Sequence, residues 1–332
     1  MTRLAIIGGG SWGTALSIVL APRFSEVRLW VYEQDLAARM SASRDNDVYL
    51  PGFALPPNVT VVTDFAAALD GACIVLGVMP SHRARAVYDQ MLPFLDESML
   101  LVSATKGLET GSLLRMSEII RQVVGNRFTP KVAVLSGPTF AKEVARGEPT
   151  ALVVASADSG SATMVQNAFS GASFRLYTNG DPIGVEIGGA VKNVVAIGAG
   201  VCHGLGLGSN SLAALITRGL AEITRLALAA GGEVRTLSGL AGLGDLLLTC
   251  TGALSRNRTV GLELAAGKSL SEIVGSMRMV AEGIETTKAT VDLARRHGVE
   301  MPIAEQMYAM LYGSRSPREA LRLLMERSLK GE

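Results

Sequence analysis

Cysteine and net charge are what this chain of 332 residues has least of. Its three cysteines, Cys73, Cys202 and Cys250, are too few and too scattered for a disulfide framework or a thiolate metal site. They fit reduced structural thiols, and no metal is expected. A formal net charge of +1 leaves no electrostatic footprint for nucleic acid or for an anionic membrane surface. Mean hydropathy is high at +0.32, yet no apolar run approaches the roughly 18 residues that a bilayer span needs. Glu186, Lys192 and Asn193 interrupt the best candidate. The chain passes from Met1-Thr2-Arg3 into an apolar run too short for a signal-peptide core, so a cytoplasmic protein is expected. Two catalytic signatures are also missing: the Walker A loop and H-E-x-x-H. Their absence argues against a P-loop nucleotidase and a zincin.

What is abundant is glycine, 37 residues, which favours tight turns and close backbone approach. Short runs at Arg3–Ile7, Val27–Val31, Val59–Thr63, Cys73–Val78, Met99–Ser103, Lys131–Leu135 and Ala151–Ala155 read as strands, with Phe174–Tyr177 as a last one. Most are apolar on both faces, as a parallel sheet covered by helices requires. Helical segments such as Gly13–Ala21 and Ser112–Val124 alternate with them, which is the rhythm of a doubly wound sheet. Beyond Asp181-Pro182 strand signals fade. Helical patterns follow at Val185–Val201, Ser211–Ala230, Ser255–Ala266, Ser271–Val274, Glu285–His297, Ile303–Tyr312 and Pro317–Glu326. The expected architecture is therefore α/β plus all-α: a Rossmann-type domain over residues 1–180 and an all-helical domain over residues 181–332.

Gly8, Gly10 and Gly13 satisfy G-x-G-x-x-G directly after the first strand and at the opening of the first helix, the context that gives this pattern its meaning. Gly8 permits the turn, Gly10 lets backbone approach a pyrophosphate, and Gly13 lets helix pack on strand. Ser11 and Trp12 lie in the same loop. A dinucleotide is the implied cofactor, its phosphates at a helix N-terminus. Glu33 lies 20 positions beyond Gly13, where an acidic residue bonds the ribose 2′-hydroxyl of NAD. It also reads as a solvated turn carboxylate.

Ligands of open α/β sheets bind beyond the carboxyl ends of the strands. Met79-Pro80-Ser81-His82, Ala104-Thr105-Lys106-Gly107 and Ser136-Gly137-Pro138-Thr139 all fall on that edge. Lys106 can donate to a phosphate or carbonyl oxygen. Lys192 is the most unusual residue: from Ile187 to Thr217 it alone carries a formal charge. A lysine in so apolar a stretch must find partners or lose its proton, and a lowered pKa suits a general acid or base. The competing reading is a snorkelling lysine. Asp245, in Leu243-Gly244-Asp245, can partner Lys192 or cap the following helix. Ser255-Arg256-Asn257 places a hydroxyl, a guanidinium and an amide near a helix start, where a phosphate group is favoured. His203, in a glycine-rich loop, is a weaker acid–base candidate than Lys192.

Across nearly its whole length the chain resembles the bacterial NAD(P)-dependent glycerol-3-phosphate dehydrogenase family. The likeness rests on Gly8–Gly13 (GGGSWG), Pro80–His82, Ala104–Glu109 (ATKGLE), Ser136–Glu143 (SGPTFAKE), Gly188–Val194 (GGAVKNV), Leu240–Asp245 (LAGLGD), Ser255–Asn257 and Val280–Gly283 (VAEG). The resemblance implies reduction of dihydroxyacetone phosphate to sn-glycerol 3-phosphate for glycerophospholipid synthesis, with NAD or NADP, in a homodimer of 6-phosphogluconate-dehydrogenase-like fold. It implies Lys192 as proton donor and acceptor. Lys106, Gly137, Thr139, Lys192, Asp245, Ser255, Arg256 and Asn257 match substrate contacts. Ser11, Trp12, Tyr32, Lys106, Ala141, Arg256, Val280 and Glu282 match dinucleotide contacts. Tyr32 stands where relatives often carry arginine or histidine. Other readings are a 3-hydroxyacid or 6-phosphogluconate-type dehydrogenase, and a silent dinucleotide sensor. Ser255–Asn257 with Ser136–Thr139 favours the phosphotriose over the first, and Lys192 with Asp245 and Arg256 argues against the second.

Overall fold

A computed structural model describes residues 3–277, 279–329 and 331. Eight strands form one sheet: β1 (Arg3–Ile7), β2 (Glu26–Trp30), β3 (Val59–Val62), β4 (Ala72–Gly77), β5 (Leu100–Ser103), β6 (Lys131–Ser136), β7 (Thr150–Ala155) and β8 (Phe174–Asn179). Between successive strands lie α1 (Ser11–Leu20), α2 (Gln34–Ser43), α3 (Phe65–Leu69), α4 (Ala84–Met91), α5 (Met116–Val124), α6 (Ala141–Ala145) and α7 (Ser159–Phe169). The order is β3-β2-β1-β4-β5-β6-β7-β8. The chain thus reverses its direction of growth between β1 and β4, where a crevice opens at the strands' carboxyl ends.

Alternation along β1 shows why the sheet is covered on both sides. Leu4 and Ile6 pack into one hydrophobic cluster with α1, and Ala5 and Ile7 into another with α4 and α5. One expectation needs correction. A parallel sheet is what the two-sided apolar strands imply, but β7 runs antiparallel to β6, and β8 is parallel to β7. A strand buried on both faces has the same composition in either direction, so orientation leaves no trace in it.

After β8 the chain is helical: α8 (Pro182–Gly204), α9 (Ser209–Ala229), α10 (Val234–Leu237), α11 (Asp245–Thr251), α12 (Arg256–Ala265), α13 (Leu270–Ser276), α14 (Glu282–His297), α15 (Pro302–Tyr312) and α16 (Pro317–Met325), with a π-helical turn at Leu240–Gly244 before α11. Asp181 caps α8 by accepting from the Gly184 amide, and Pro182 fits its first turn. Gly184 to Val201 of α8 is wholly buried, and α9, α10, α11, α12, α14 and α15 pack against this helix. Glycine makes the closest crossing possible. A Cβ on Gly200 would stand 2.0 Å from the Arg258 carbonyl oxygen, and one on Gly261 would stand 1.9 Å from that of Ile197. This contact brings the start of α12 against the Lys192 segment.

The sequence reading that no segment is long and apolar enough for a bilayer also needs correction. Among the described residues α8 meets that length and mean hydropathy, but 94% of its most apolar window is buried inside the protein. It is a core helix, and its Glu186 and Lys192 have partners there.

Candidate active site

Three segments bring charge together at the sheet's carboxyl edge. Lys106 follows β5, Lys192 lies on α8, and Asp245 opens α11. The Asp245 side chain is fully buried and bridges the two lysines. The Lys106 ammonium donates to its Oδ2 at 2.7 Å, and the Lys192 ammonium to its Oδ1. Lys106 also donates to the Gly137 carbonyl at 2.9 Å and to Thr139 Oγ1 at 3.4 Å. Lys106, Gly137, Thr139, Lys192 and Asp245 therefore form one cluster. Asp245 does not cap α11: Gly244 is the N-cap, and the carboxylate is spent on the lysines.

Thr249 was missing from the sequence reading. Its hydroxyl accepts from Lys192 at 2.8 Å and donates to the Asp245 carbonyl oxygen at 2.6 Å. The available signal was spacing, since residues i and i+4 share a helix face. Burial dominates the Lys192 environment and lowers its pKa to about 8. Asp245 pushes upward, and the Lys106 charge adds to the lowering. Such a group is mostly protonated at neutral pH yet gives up its proton readily.

The α8–α12 packing brings Asn257, from the Ser255-Arg256-Asn257 block, beside Asn193, the neighbour of Lys192. The Ser255 hydroxyl accepts from the Arg258 amide at 3.2 Å as the α12 N-cap. Asn257 donates to the Asn193 side chain at 2.9 Å and accepts from the Gly283 amide at 2.9 Å. It thus ties the neighbour of Lys192 to the start of α14, with one N–H to spare among the described residues. Arg256 keeps exposed surface and donates to the Val280 carbonyl at 2.7 Å. Crowding by protein atoms lowers its pKa against the opposing charge of Glu282. Glu282 accepts from the Ser81 hydroxyl at 2.6 Å and from its amide at 3.3 Å, joining α14 to the loop after β4. Burial raises the Glu282 pKa, while Ser81, His82 and Arg256 oppose the rise. His82 and His203 are both exposed, His203 three turns beyond Lys192 near the end of α8.

The glycine loop fits a dinucleotide. Gly8 has φ +129°, and a Cβ there would lie 2.5 Å from the Val78 carbonyl oxygen. A Cβ on Gly13 would lie 1.8 Å from that of Gly8. Gly10 faces open space, with nothing within 4 Å of its Cβ position, and α1 has no side-chain cap. Its first amides are left for a ligand, such as a pyrophosphate. The Trp12 indole N–H is buried without a partner among the described residues. Ser11 donates to the Tyr49 carbonyl at 2.7 Å. Ala141 opens α6, and Tyr32 is 79% exposed after β2.

Residues 3–162 match a model of the NAD-dependent glycerol-3-phosphate dehydrogenase N-terminus, and residues 181–322 match one of its C-terminus. The chain is 58% identical to the glycerol-3-phosphate dehydrogenase [NAD(P)+] of Koribacter versatilis over 98% of each chain. It is 51% identical to that of Citrifermentans bemidjiense, over 99% of this chain and 98% of the relative. The crystal structure of glycerol-3-phosphate dehydrogenase from Coxiella burnetii superposes with a TM-score of 0.94 at 42% identity, covering 98% of this chain and 99% of that one. The chain belongs to the NAD-dependent glycerol-3-phosphate dehydrogenase family of oxidoreductases.

Proposed function

We propose that this chain interconverts dihydroxyacetone phosphate and sn-glycerol 3-phosphate with NAD(H) or NADP(H), supplying glycerophospholipid synthesis as a cytoplasmic homodimer. Residues 1–180 hold the dinucleotide and residues 181–332 supply the proton chemistry. The observation that carries the reading is the buried carboxylate of Asp245 between two ammonium groups, one with a lowered pKa.

Gly8, Gly10, Ser11, Trp12 and Gly13 cradle the pyrophosphate at the start of α1. Tyr32, Lys106, Ala141, Arg256, Val280 and Glu282 complete the dinucleotide contacts. When bound, the reduced nicotinamide supplies hydride for C2 of the ketone. Lys192 gives its proton to the oxygen that becomes the alcohol, and neutral Lys192 takes one in the reverse direction. Asp245 and Thr249 hold the ammonium in place. Lys106 adds positive potential beside the carbonyl, with Gly137 and Thr139 fixing Lys106. Ser255, Arg256 and Asn257 receive the phosphate, and that remote binding energy orients the carbonyl.

The test is NADH- and NADPH-dependent reduction of dihydroxyacetone phosphate by the wild type and by Lys192→Met, which keeps much of the stem's packing. Loss of general acid catalysis lowers kcat by about 10²–10⁴-fold, while dinucleotide affinity stays intact. Near-normal turnover of the variant sinks the assignment of Lys192.

A further inference from the structure

The adenosine end of the dinucleotide site is built differently from its phosphate end. Glu33 follows β2 and is the N-cap residue of α2, but its side chain makes no cap hydrogen bond. The carboxylate instead accepts from the Tyr49 hydroxyl at 2.7 Å. Burial and the hydrogen bond to Glu33 together push the Tyr49 pKa up to about 12, so the phenol stays a proton donor.

Tyr49 is itself fixed to the glycine loop. Its carbonyl accepts from Ser11 Oγ at 2.7 Å, and its amide donates to Asn46 Oδ1 at 2.9 Å. Asn46 in turn donates to the Gly9 carbonyl and to Thr14 Oγ1, both at 2.8 Å. The segment 46–50 is thus a strap. One end grips the loop for the pyrophosphate, and the Tyr49 ring carries Glu33 at the spacing where an acidic residue meets an adenosine ribose.

The charges around Glu33 oppose a 2′-phosphate. Asp35 lies in the first turn of α2. From residue 31 to residue 71 the only basic residues are Arg39 and Arg44. Arg39 is engaged by Asp35 at 3.1 Å and Asp47 at 3.0 Å. Arg44 donates to the carbonyls of Leu55 and Pro56. Tyr32 brings no positive charge. A ribose 2′-hydroxyl can donate to Glu33, whereas a 2′-phosphate would meet two carboxylates and, among the described residues of the 31–71 segment, no free arginine fork.

We propose that Glu33, held by the Tyr49 hydroxyl, reads the ribose 2′-hydroxyl and makes the enzyme favour NAD(H) over NADP(H), with Tyr49 as its positioning residue. The inference rests on the dinucleotide reading above. Calorimetric titration of the full chain with NAD+ and with NADP+ tests it, beside steady-state kinetics with NADH and NADPH. A charge-assisted hydrogen bond gained by one ligand, and repulsion of the other, give a preference for NAD+ of about tenfold or more. Glu33→Gln cuts that ratio by about tenfold. Tyr49→Phe lowers it by a smaller factor, raising KM for NADH while leaving kcat and the KM for NADPH in place, a split that general loosening of the fold does not give. Equal or tighter binding of NADP+ by the wild type overturns the proposal, as does an unchanged ratio in Glu33→Gln. Failure to bind either dinucleotide is a separate result and overturns the cofactor reading itself.

Discussion

Replacing Asp245 by asparagine removes one charge from between two ammonium groups while keeping the side chain's shape. Asp245 is fully buried, so its charge acts in a medium of low dielectric. Opposite unit charges about 4 Å apart attract by about 4 kcal/mol at an effective dielectric near 20, equivalent to about 3 pKa units. In the wild type that attraction opposes burial and the Lys106 charge, leaving Lys192 at about 8. Without it, both remaining influences drive the Lys192 pKa down past neutrality. At pH 7 the lysine is then neutral and cannot protonate the developing alcohol, so ketone reduction falls by about 10²–10⁴-fold. The assay is kcat/KM for dihydroxyacetone phosphate from pH 5.5 to 9.5. The descending limb should move to lower pH, and part of the lost activity should return in acid. Oxidation of sn-glycerol 3-phosphate at pH 7, which needs neutral Lys192, should suffer less. A variant with nearly wild-type kcat and an unmoved limb refutes the electrostatic role of Asp245.

Thr249→Val keeps the shape but removes the acceptor that Lys192 uses at 2.8 Å; kcat/KM should fall by about tenfold, and an unchanged value would leave Thr249 a packing residue only. Gly261→Ala forces a methyl against the Ile197 carbonyl oxygen, 1.9 Å from the Cβ position. Denaturant unfolding should show a loss of about 1–3 kcal/mol or more, and the KM for the phosphotriose should rise as α12 shifts. Glu222 is buried on α9 and accepts from the Ile303 and Ala304 amides at the start of α15; burial raises its pKa from 4.5 to about 7. Since the folded pKa is the higher one, its stabilising contribution is fully present below 4.5 and is lost as pH rises through 7, a span of about 3 kcal/mol. Unfolding free energies at pH 5 and pH 8 should therefore differ less in Glu222→Gln than in the wild type, and equal pH dependence would contradict the shift.

Each strand expected from sequence lies within two residues of an observed one, because hydrophobic runs bounded by turns are local signals. The direction of β7 was not legible, because pairing is a tertiary choice that two-sided burial conceals. Lys192 was visible as a lone charge in an apolar stretch, and Asp245 as a carboxylate in a glycine-rich one. That Asp245 would grip Lys106 as well was not visible, since 139 residues separate them. The Ser81–Glu282 bond spans 201 residues. The strap through Asn46 and Tyr49 was equally hidden, since Asn and Tyr in a loop have many uses and only the fold shows Gly9, Ser11 and Glu33 within reach. The membrane criterion failed for a related reason: hydropathy measures how apolar a helix is, and the core of an all-helical domain satisfies it as well as a bilayer does.

The central claim is that Lys192 carries the transferred proton with its pKa lowered to about 8. The most direct measurement is the pH dependence of kcat/KM for the wild type in both directions. The account predicts mirror-image profiles sharing one midpoint near pH 8: ketone reduction falls as Lys192 loses its proton, and alcohol oxidation rises over the same interval. Profiles flat through pH 9 in both directions, or limbs that persist in Lys192→Met, would contradict it.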